Sequence, residues 1–356
     1  MEGKLCKQIL VIRIHNIRVK IITNYPKYYD YLCLHFGKVI LSEQVDDCQV
    51  EVSAYWQTDD LNLDVNTDMI QIGANTLRDE NGIYTIRKIG RRKKVKLNFY
   101  IKDNKLYLKA NFQRKPLKDK LRYDIFGQSQ EAHFFEITYP LIYYPLFWYL
   151  EYFKNTHPLH ASAVKIKDKC IVICGLEGMG KTTFSLLLAQ DPHAKLFSDN
   201  LIFYDKDNIF PCYEPIRIHK NEDKSLWKDK FSRINKFKTL KDFYEPISFS
   251  FGYSSKPDII ILPLFGDTFC VKKIAKIEFI ERLLNLNQLT AELGNYTEYF
   301  ALFNLLVTGF RIWELRYNAL QCALNSTDCF EMIVRKADGL EKNLKKLKEV
   351  VFNAYT

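Results

Sequence analysis

Eight consecutive residues have the types and spacing of a loop that binds phosphate groups. The segment Gly175-Leu176-Glu177-Gly178-Met179-Gly180-Lys181-Thr182 fits the pattern GxxxxGK[ST] at every position. Glycines let successive backbone N–H groups turn toward an anion, and the N-terminus of the following helix adds its dipole. Lys181 can reach the β- and γ-phosphates, and the Thr182 hydroxyl suits Mg²⁺. The motif therefore predicts binding of a nucleoside triphosphate.

The elements around this motif are those that such a loop needs. An apolar strand is predicted for residues 170–174, directly before the first glycine, and a helix for residues 182–190. A glycine-rich turn without a ligand is the alternative interpretation. Because strand, loop, lysine, threonine and helix follow in the required order, nucleotide binding is the better prediction. The residues assigned to it are Gly175, Gly178, Met179, Gly180, Lys181, Thr182 and Thr183.

Two polar segments flank the loop. Residues 159–164 include His160, and residues 196–200 include Asp199, each at the edge of a predicted strand. In a sheet of the parallel type, such edges converge on the phosphate site. His160 and Asp199 are therefore expected beside the bound phosphates. The sequence contains no GxSxG, HExxH or GxGxxG motif, so it offers no competing hydrolase or redox site.

In this region the sequence resembles a known family. The blocks PLHASAV, GLEGMGKTT, KLFSDNLIFYD and FPCYEPIRI lie within residues 157–220, in the order and at the spacing of the C-terminal catalytic domain of HPr kinase/phosphorylase. The resemblance extends in particular to HPr-kinase-related proteins of peptide-modification gene clusters, such as lasso-peptide kinases. It implies a P-loop kinase core of the HPr-kinase type that uses ATP and Mg²⁺.

The resemblance also implies a role for each matched residue. Asp199 corresponds to the base for the acceptor hydroxyl, with a metal-side carboxylate as the alternative. His160 corresponds to a histidine that hydrogen-bonds this carboxylate or a phosphate oxygen. Glu214 and Arg217 correspond to residues that engage metal and phosphate, with a surface ion pair as the alternative. The implied catalytic residues are Asp199, His160, Lys181 and Arg217, and the implied Mg²⁺ ligands are Thr182, Asp199 and Glu214.

The expected activity is transfer of the γ-phosphoryl group of ATP to a serine or threonine hydroxyl of a peptide or small protein. Asn200 stands where the family usually has a second carboxylate, and the block with Glu214 and Arg217 is one residue wider than in the bifunctional enzyme. A reverse phosphorylase activity is therefore not predicted. Asn200 also keeps another class of function open, a nucleotide-dependent binding or regulatory protein that transfers nothing.

Composition and charge bear on the class of protein and on the class of acceptor. The chain has 356 residues, 47% hydrophobic and 14% aromatic, with 14 glycines and 11 prolines, which excludes collagen-like and disordered chains. The net charge of +10 and the basic run at residues 91–94 support a third hypothesis, a kinase that acts on a small molecule or a nucleic-acid hydroxyl. A polypeptide acceptor remains the leading prediction over nucleic acid. The oligomeric state, a homo-oligomer included, is left open.

The cysteine spacing and the most apolar segment bear on the cellular location of the protein. Nine cysteines with no CxxC pair, in a sequence with no secretory signal, predict reduced thiols in a cytoplasmic protein. The most apolar stretch, residues 139–153, is too short to cross a bilayer and contains Pro140, Pro145 and Glu151. It is expected to be a core helix, so no membrane partner is predicted. Cysteine and histidine spacings offer no structural zinc site.

The chain is predicted to be an α/β protein of two domains. Residues 1–138 are expected to form a β-rich N-terminal domain that helps to present the substrate. Residues 139–356 are expected to form the catalytic domain with C-terminal helices.

Hydrophobic periodicity predicts the elements of both domains. Alternation predicts one strand over residues 9–22, a hairpin of 95–101 with 105–112, and a strand over 133–138. Helices are predicted at residues 139–154, 277–286, 297–308 and 338–353.

Overall fold

The chain folds into the mixed α/β class that the sequence predicts, with several β-sheets. The computed structural model describes residues 7–42, 47–63, 68–89, 93–115, 117, 119, 121–125, 129–219, 231–235, 241–246, 250–286, 293, 295–335 and 338–353. Among these residues, no helix combines the length and the apolar character that crossing a membrane requires. The eight cysteines in this part of the chain are free thiols.

The first eight strands form one sheet. They are β1 (Gln8–Ile14), β2 (Ile17–Thr23), β3 (Val50–Gln57), β4 (Ile70–Gly73), β5 (Thr76–Arg78), β6 (Ile83–Ile89), β7 (Lys93–Lys102) and β8 (Lys105–Gln113). Their order in the sheet is β1-β2-β3-β8-β7-β6-β5-β4. β2, β3 and β8 run parallel to one another, and the other neighbouring pairs are antiparallel.

The later strands form three sheets. They are β9 (His157–Leu159), β10 (Ala161–Ile166), β11 (Lys169–Cys174), β12 (Ala194–Ser198), β13 (Ile202–Tyr204), β14 (Ile209–Pro211), β15 (Ile216–His219), β16 (Phe231–Asn235), β17 (Lys241–Pro246), β18 (Ser250–Phe251), β19 (Ile259–Phe265), β20 (Cys270–Lys273) and β21 (Asp328–Val334). The largest sheet has the order β18-β12-β10-β11-β19-β21-β20, and the two small ones have the orders β14-β13-β9 and β15-β17-β16.

Helices connect and cover these sheets. They are α1 (Pro26–Phe36), α2 (Gln130–Thr138), α3 (Tyr144–Lys154), α4 (Lys181–Leu188), α5 (Lys276–Leu286), α6 (Tyr296–Asn304), α7 (Ile312–Ala323) and α8 (Gly339–Asn353). Short turns of 3-10 or π type lie at Gly37–Val39, Leu121–Ile125 and Tyr139–Tyr143. The predicted C-terminal helices are confirmed, although α6 ends before residue 308.

The prediction of a single strand over residues 9–22 is wrong, because the segment folds into the β1–β2 hairpin. His15 and Asn16 have positive φ angles of 44° and 60° and form the two-residue turn. A regular alternation runs through both strands, so periodicity alone did not show the turn between them. The predicted hairpin of β7 with β8 is confirmed. Arg91 and Arg92 of the basic run lie outside the described residues.

The strand predicted for residues 133–138 is also wrong, since this segment belongs to helix α2. The Ser129 hydroxyl accepts a hydrogen bond from the Ala132 N–H at 3.1 Å, which caps the helix. The negative charge of Glu131, in the first turn, interacts favourably with the positive end of the helix dipole. A short apolar run fits both the helical and the strand period of hydrophobic residues. The helix is therefore indicated by its N-terminal cap rather than by the apolar run.

The aromatic helix predicted for residues 139–154 is confirmed as a π turn followed by α3. It packs into the same hydrophobic core as the N-terminal sheet. Phe147 and Trp148 are fully buried in one cluster with Val52 and Phe112. Burial of large side chains stabilises such a core by about 2 kcal/mol each. The domain boundary between residues 138 and 139 stays a prediction.

The buried His35 links α1 by hydrogen bonds to Tyr143 and, through it, to Tyr213. The Tyr143 hydroxyl donates to the Tyr213 carbonyl oxygen at 2.9 Å, so it accepts from Nε2–H of His35 at 2.9 Å. Nδ1 of His35 then accepts from the Tyr31 hydroxyl, also at 2.9 Å. In this arrangement both nitrogens of the neutral ring are satisfied. Burial, with a smaller effect of Arg217, lowers the pKa of His35 to about 3.

This histidine is expected to make stability depend on pH. Because its folded pKa lies below the ordinary value of 6.5, the unfolded chain takes up the proton first. Its contribution is therefore fully present above pH 6.5 and is lost as the pH falls toward 3, at up to about 1.4 kcal/mol per pH unit. Urea unfolding across this range should show a shallower pH dependence for His35→Gln than for the wild type. His193→Gln, at an exposed histidine, should leave the dependence unchanged. Equal slopes for all three proteins would contradict the prediction.

Candidate functional site

The loop between β11 and α4 curls at its glycines. Gly175, Gly178 and Gly180 have φ angles of 139°, 82° and 84°, a region that side chains disfavour. A Cβ on Gly180 would also lie 3.3 Å from the Phe184 ring. The backbone therefore turns sharply at the end of the buried strand β11 and enters α4 at Lys181. This is the strand–loop–helix arrangement that the sequence predicts around the motif.

Lys181 and Thr182 are held by backbone oxygens. The buried Lys181 Nζ donates to the carbonyl oxygens of Gly175 and Leu176, at 2.8 Å each, so the ammonium group lies over the loop. The Thr182 hydroxyl donates to the Asp199 carbonyl oxygen at 3.2 Å. The Ser162 hydroxyl donates to the Lys181 carbonyl oxygen at 3.1 Å. The start of α4 is thus joined to both β10 and β12. Met179 and Thr183 are partly buried on either side of these residues.

Three segments meet at one edge of the seven-stranded sheet. β10 is antiparallel to both β11 and β12, so the start of β10 lies at the edge where β11 and β12 end. The sheet is mixed here rather than of the expected parallel type, and the convergence depends on this difference, because in a parallel pair the start of β10 would lie at the opposite edge from the ends of β11 and β12. His160 directly precedes β10, Gly175 follows β11, and Asp199 follows β12. His160 and Asp199 are both buried.

A tight turn sets the position of Asp199. The Ser198 hydroxyl oxygen accepts the backbone N–H groups of Asn200 and Leu201, each at 3.2 Å. Such a turn ends the strand and fixes the following residues at the sheet edge. Asp199, with 3% of its surface exposed, is therefore part of a rigid corner rather than of a mobile loop.

A second carboxylate, Glu214, lies at the centre of a buried cluster. Its Oε1 accepts hydrogen bonds from the Tyr139 hydroxyl at 2.9 Å and from Asn200 Nδ2 at 3.1 Å. Arg217 Nη2 lies 3.5 Å from the same oxygen. Asn200, which replaces a carboxylate of the resembled family, therefore contacts a carboxylate here instead of adding a charge.

The predicted site residues in and beside this cluster line two separate cavities. Asp199 and Glu214 line a groove of about 620 Å³ together with residues of the N-terminal sheet. Arg217 lines a separate cavity of about 300 Å³ with Lys88 and Tyr139. Arg217 and Glu214 form an ion pair, as the alternative interpretation allowed, but Glu214 is buried and Arg217 is partly buried, so the pair does not lie on the open surface.

The donor set at the site suits a hard cation more than a soft one. Thr182, Asp199 and Glu214 offer hydroxyl and carboxylate oxygens, which are the ligands that Mg²⁺ prefers. In the described part of the chain, no three histidine, cysteine, aspartate or glutamate residues are grouped closely enough to hold a metal by themselves. A magnesium ion here would therefore need further oxygen ligands, such as those of a bound phosphate. Burial, opposed by Lys181, raises the pKa of the neighbouring Cys174 thiol well above its usual value, so Cys174 is not a thiolate nucleophile.

Two contributors were not found from the sequence. Tyr139 lies 75 positions before its partner Glu214, inside an aromatic run that gave no polar signal. Ser162 has no motif of its own, although it holds the first carbonyl of α4. Only their contacts in the folded chain reveal these roles.

Comparison of the sequence with protein-family models and with curated proteins gives no match. The chemistry of the site must therefore be inferred from its own residues.

Proposed function

We propose that the chain is an ATP- and Mg²⁺-dependent kinase with a P-loop core of the HPr-kinase type. It transfers the γ-phosphoryl group of ATP to a serine or threonine hydroxyl of a peptide or small protein. The observation that carries the proposal is the meeting of the glycine loop, His160 and Asp199 at one sheet edge, beside the groove that Asp199 and Glu214 line, which we call the acceptor groove. The sequence blocks that resemble HPr kinase/phosphorylase are the same segments that meet there.

In this proposal each side chain has a defined task. The loop amides and Lys181 bind the phosphates of ATP, for which Lys181 exchanges its carbonyl partners for phosphate oxygens. Asp199 accepts the proton of the acceptor hydroxyl, while the oxygen of that hydroxyl forms a bond to the γ-phosphorus. The bond from that phosphorus to the β–γ bridging oxygen breaks, and ADP leaves. Arg217 orients Glu214, and His160 supports the site from the same sheet edge as Asp199.

Magnesium fits the same residues. Thr182 and Glu214 would hold Mg²⁺, with Asp199 as a third ligand in its alternative role of a metal-side carboxylate, and the charge of the ion would neutralise the phosphate oxygens. Tyr139 and Asn200 hold Glu214 through its Oε1, so the carboxylate is oriented before any ligand binds. Orientation in advance lowers the entropic cost of assembling the site.

Lys181→Ala is expected to weaken ATP binding about 10- to 100-fold, because the hydrogen bonds of an ammonium group to phosphate oxygens are lost. The experiment incubates the purified protein with labelled ATP, Mg²⁺ and a lysate of its own source. Products are then separated into polypeptide, small-molecule, RNA and free-phosphate fractions. A labelled polypeptide that disappears with Lys181→Ala supports the proposal. Lys195→Ala, at an exposed lysine on β12, is the matched control and should retain the label.

Other products would support the other hypotheses. Label in RNA or in a small molecule would identify a different acceptor for the same phosphoryl transfer. Bound ATP without any transfer would contradict the kinase and would support a nucleotide-dependent binding protein, the function that Asn200 keeps open.

A further inference from the structure

The acceptor groove has two walls from distant parts of the chain. The first wall consists of Arg13 and His15 at the β1–β2 turn and of Lys38 after α1. The second wall contains Asp199, Glu214 and Glu245. A substrate that reaches Asp199 through this groove therefore contacts the N-terminal sheet as well.

Aromatic rings hold the first wall against the second. The His15 ring meets the Phe210 ring edge-on, with centroids 4.2 Å apart, and lies 5.8 Å from the Phe203 centroid. Burial lowers the pKa of His15, so the ring stays neutral and apolar near pH 7. Arg13 Nη2 donates to Asn16 Oδ1 at 2.8 Å across the same turn. This bond uses one of the five N–H donors of the guanidinium.

Charges are sorted between the walls. The ionised side chains that line the first wall are cations, Arg13 and Lys38, and those that line the second wall are carboxylates. Lys38 Nζ lies 4.0 Å from Glu245 Oε1, so this lysine is already paired with the opposite wall. Arg13 is the cation of the first wall whose described hydrogen bond goes to a neutral group. It is therefore the better candidate to bind an anionic group of a substrate.

The sorted walls suit an extended polypeptide. Neighbouring side chains of an extended chain point in opposite directions, so a hydroxyl that faces Asp199 directs the adjacent side chain toward the first wall. A nucleic acid fits less well, because its phosphates would lie along three carboxylates. We propose that the acceptor segment carries an acidic residue directly beside the phosphorylated serine or threonine, and that Arg13 binds this acidic side chain. The inference rests on the kinase function proposed above.

Three short peptides test this inference. They share one serine in an alanine–glycine background and have glutamate, glutamine or lysine on both sides of it. The wild type should show kcat/KM for the glutamate peptide about tenfold above that for the glutamine peptide, the size of one charge-assisted hydrogen bond at a partly exposed site. Arg13→Glu should abolish this preference and favour the lysine peptide. Because the ratio is measured within one protein, a partly unfolded variant cannot produce the change.

Arg78→Glu is the matched control, since Arg78 is an exposed arginine of the same sheet and lies outside the groove lining. It should keep the wild-type ratio. A preference that persists in Arg13→Glu, or no preference in the wild type, overturns the inference and leaves the kinase standing. Transfer to RNA or to a small molecule but to no peptide does the same. Transfer to no acceptor at all, with ATP still bound, overturns the proposed function itself.

Discussion

Replacing Asp199 with asparagine is expected to lower kcat for phosphoryl transfer by about a thousandfold. The amide has nearly the shape of the carboxylate but cannot accept a proton, and a positioned general base contributes about 10²- to 10⁴-fold to such rates. Asp199 lies in a buried corner held by the Ser198 hydroxyl, so the exchange should leave the surrounding turn in place. Initial rates with the acceptor found in the lysate experiment, together with the Kd for ATP, measure the effect.

The same variant separates the two roles considered for Asp199. If the carboxylate is the base, kcat falls while the Mg²⁺ concentration that gives half-maximal rate stays nearly unchanged. If it is a metal-side ligand, the requirement for Mg²⁺ rises and high Mg²⁺ restores part of the rate. Asp207→Asn, at an exposed aspartate beyond β13, is the control and should behave as the wild type.

An unchanged rate in Asp199→Asn would contradict both roles. Transfer would then proceed without this carboxylate, and the corner at the end of β12 would be structural. Nucleotide binding with no turnover in either protein would instead favour a binding protein.

The second large effect concerns stability. Arg316→Met is expected to lower the free energy of unfolding by about 3–5 kcal/mol, because it leaves a buried carboxylate without its cation. Arg316 Nε and Nη2 donate to Oε1 and Oε2 of Glu151 at 2.7 and 3.0 Å, which joins α7 to α3. The Tyr296 hydroxyl donates to Glu151 Oε2 at 3.2 Å, and His157 Nδ1 lies 3.2 Å from Oε1.

The electrostatics of the pair explain the size of this effect. Burial alone would raise the pKa of Glu151, yet Arg316 and His157 keep it below its usual value. Burial opposes the charge of Arg316 as well, and Glu151 raises its pKa above the usual value. Each charge therefore depends on the other. The loss of one partner costs more than the pair itself contributes.

Urea unfolding of three variants tests this account. Arg311→Met removes an exposed arginine that lies 3.7 Å from Glu314 and should cost less than about 1 kcal/mol. The double variant Arg316→Met with Glu151→Gln should recover part of the loss, because the uncompensated charge is gone. Equal costs for Arg316→Met and Arg311→Met would show that the buried pair has no special role.

Local sequence determined the elements of the site that lie next to one another in the chain. The apolar run before Gly175, the glycines and the helix after Lys181 follow from short-range rules of backbone freedom and helix formation. The same rules identified the β7–β8 hairpin and the aromatic helix α3. They failed at residues 9–22 and 133–138, where a two-residue turn and a helix cap outweighed the hydrophobic period.

The neighbourhood of His160 and Asp199 was expected from strand edges, although the sheet turned out to be mixed. Their convergence depends on this difference. The start of an antiparallel strand and the end of its neighbour lie at the same edge, whereas in a parallel pair they would lie at opposite edges, so the antiparallel direction of β10 brings the two segments together.

Tertiary structure alone decided which side chains meet across long separations. No local pattern relates Tyr139 to Glu214, Glu151 to Arg316, or Arg13 to the groove in front of Asp199. These contacts arise because hydrophobic burial packs distant segments of the chain together, and hydrophobic burial has no directional signature in the chain. The sequence by itself thus determined a glycine loop of the phosphate-binding pattern, between a buried strand and a helix, and its candidate residues. The packing of the folded chain determined how their charges are paired and which side chains line the groove at Asp199.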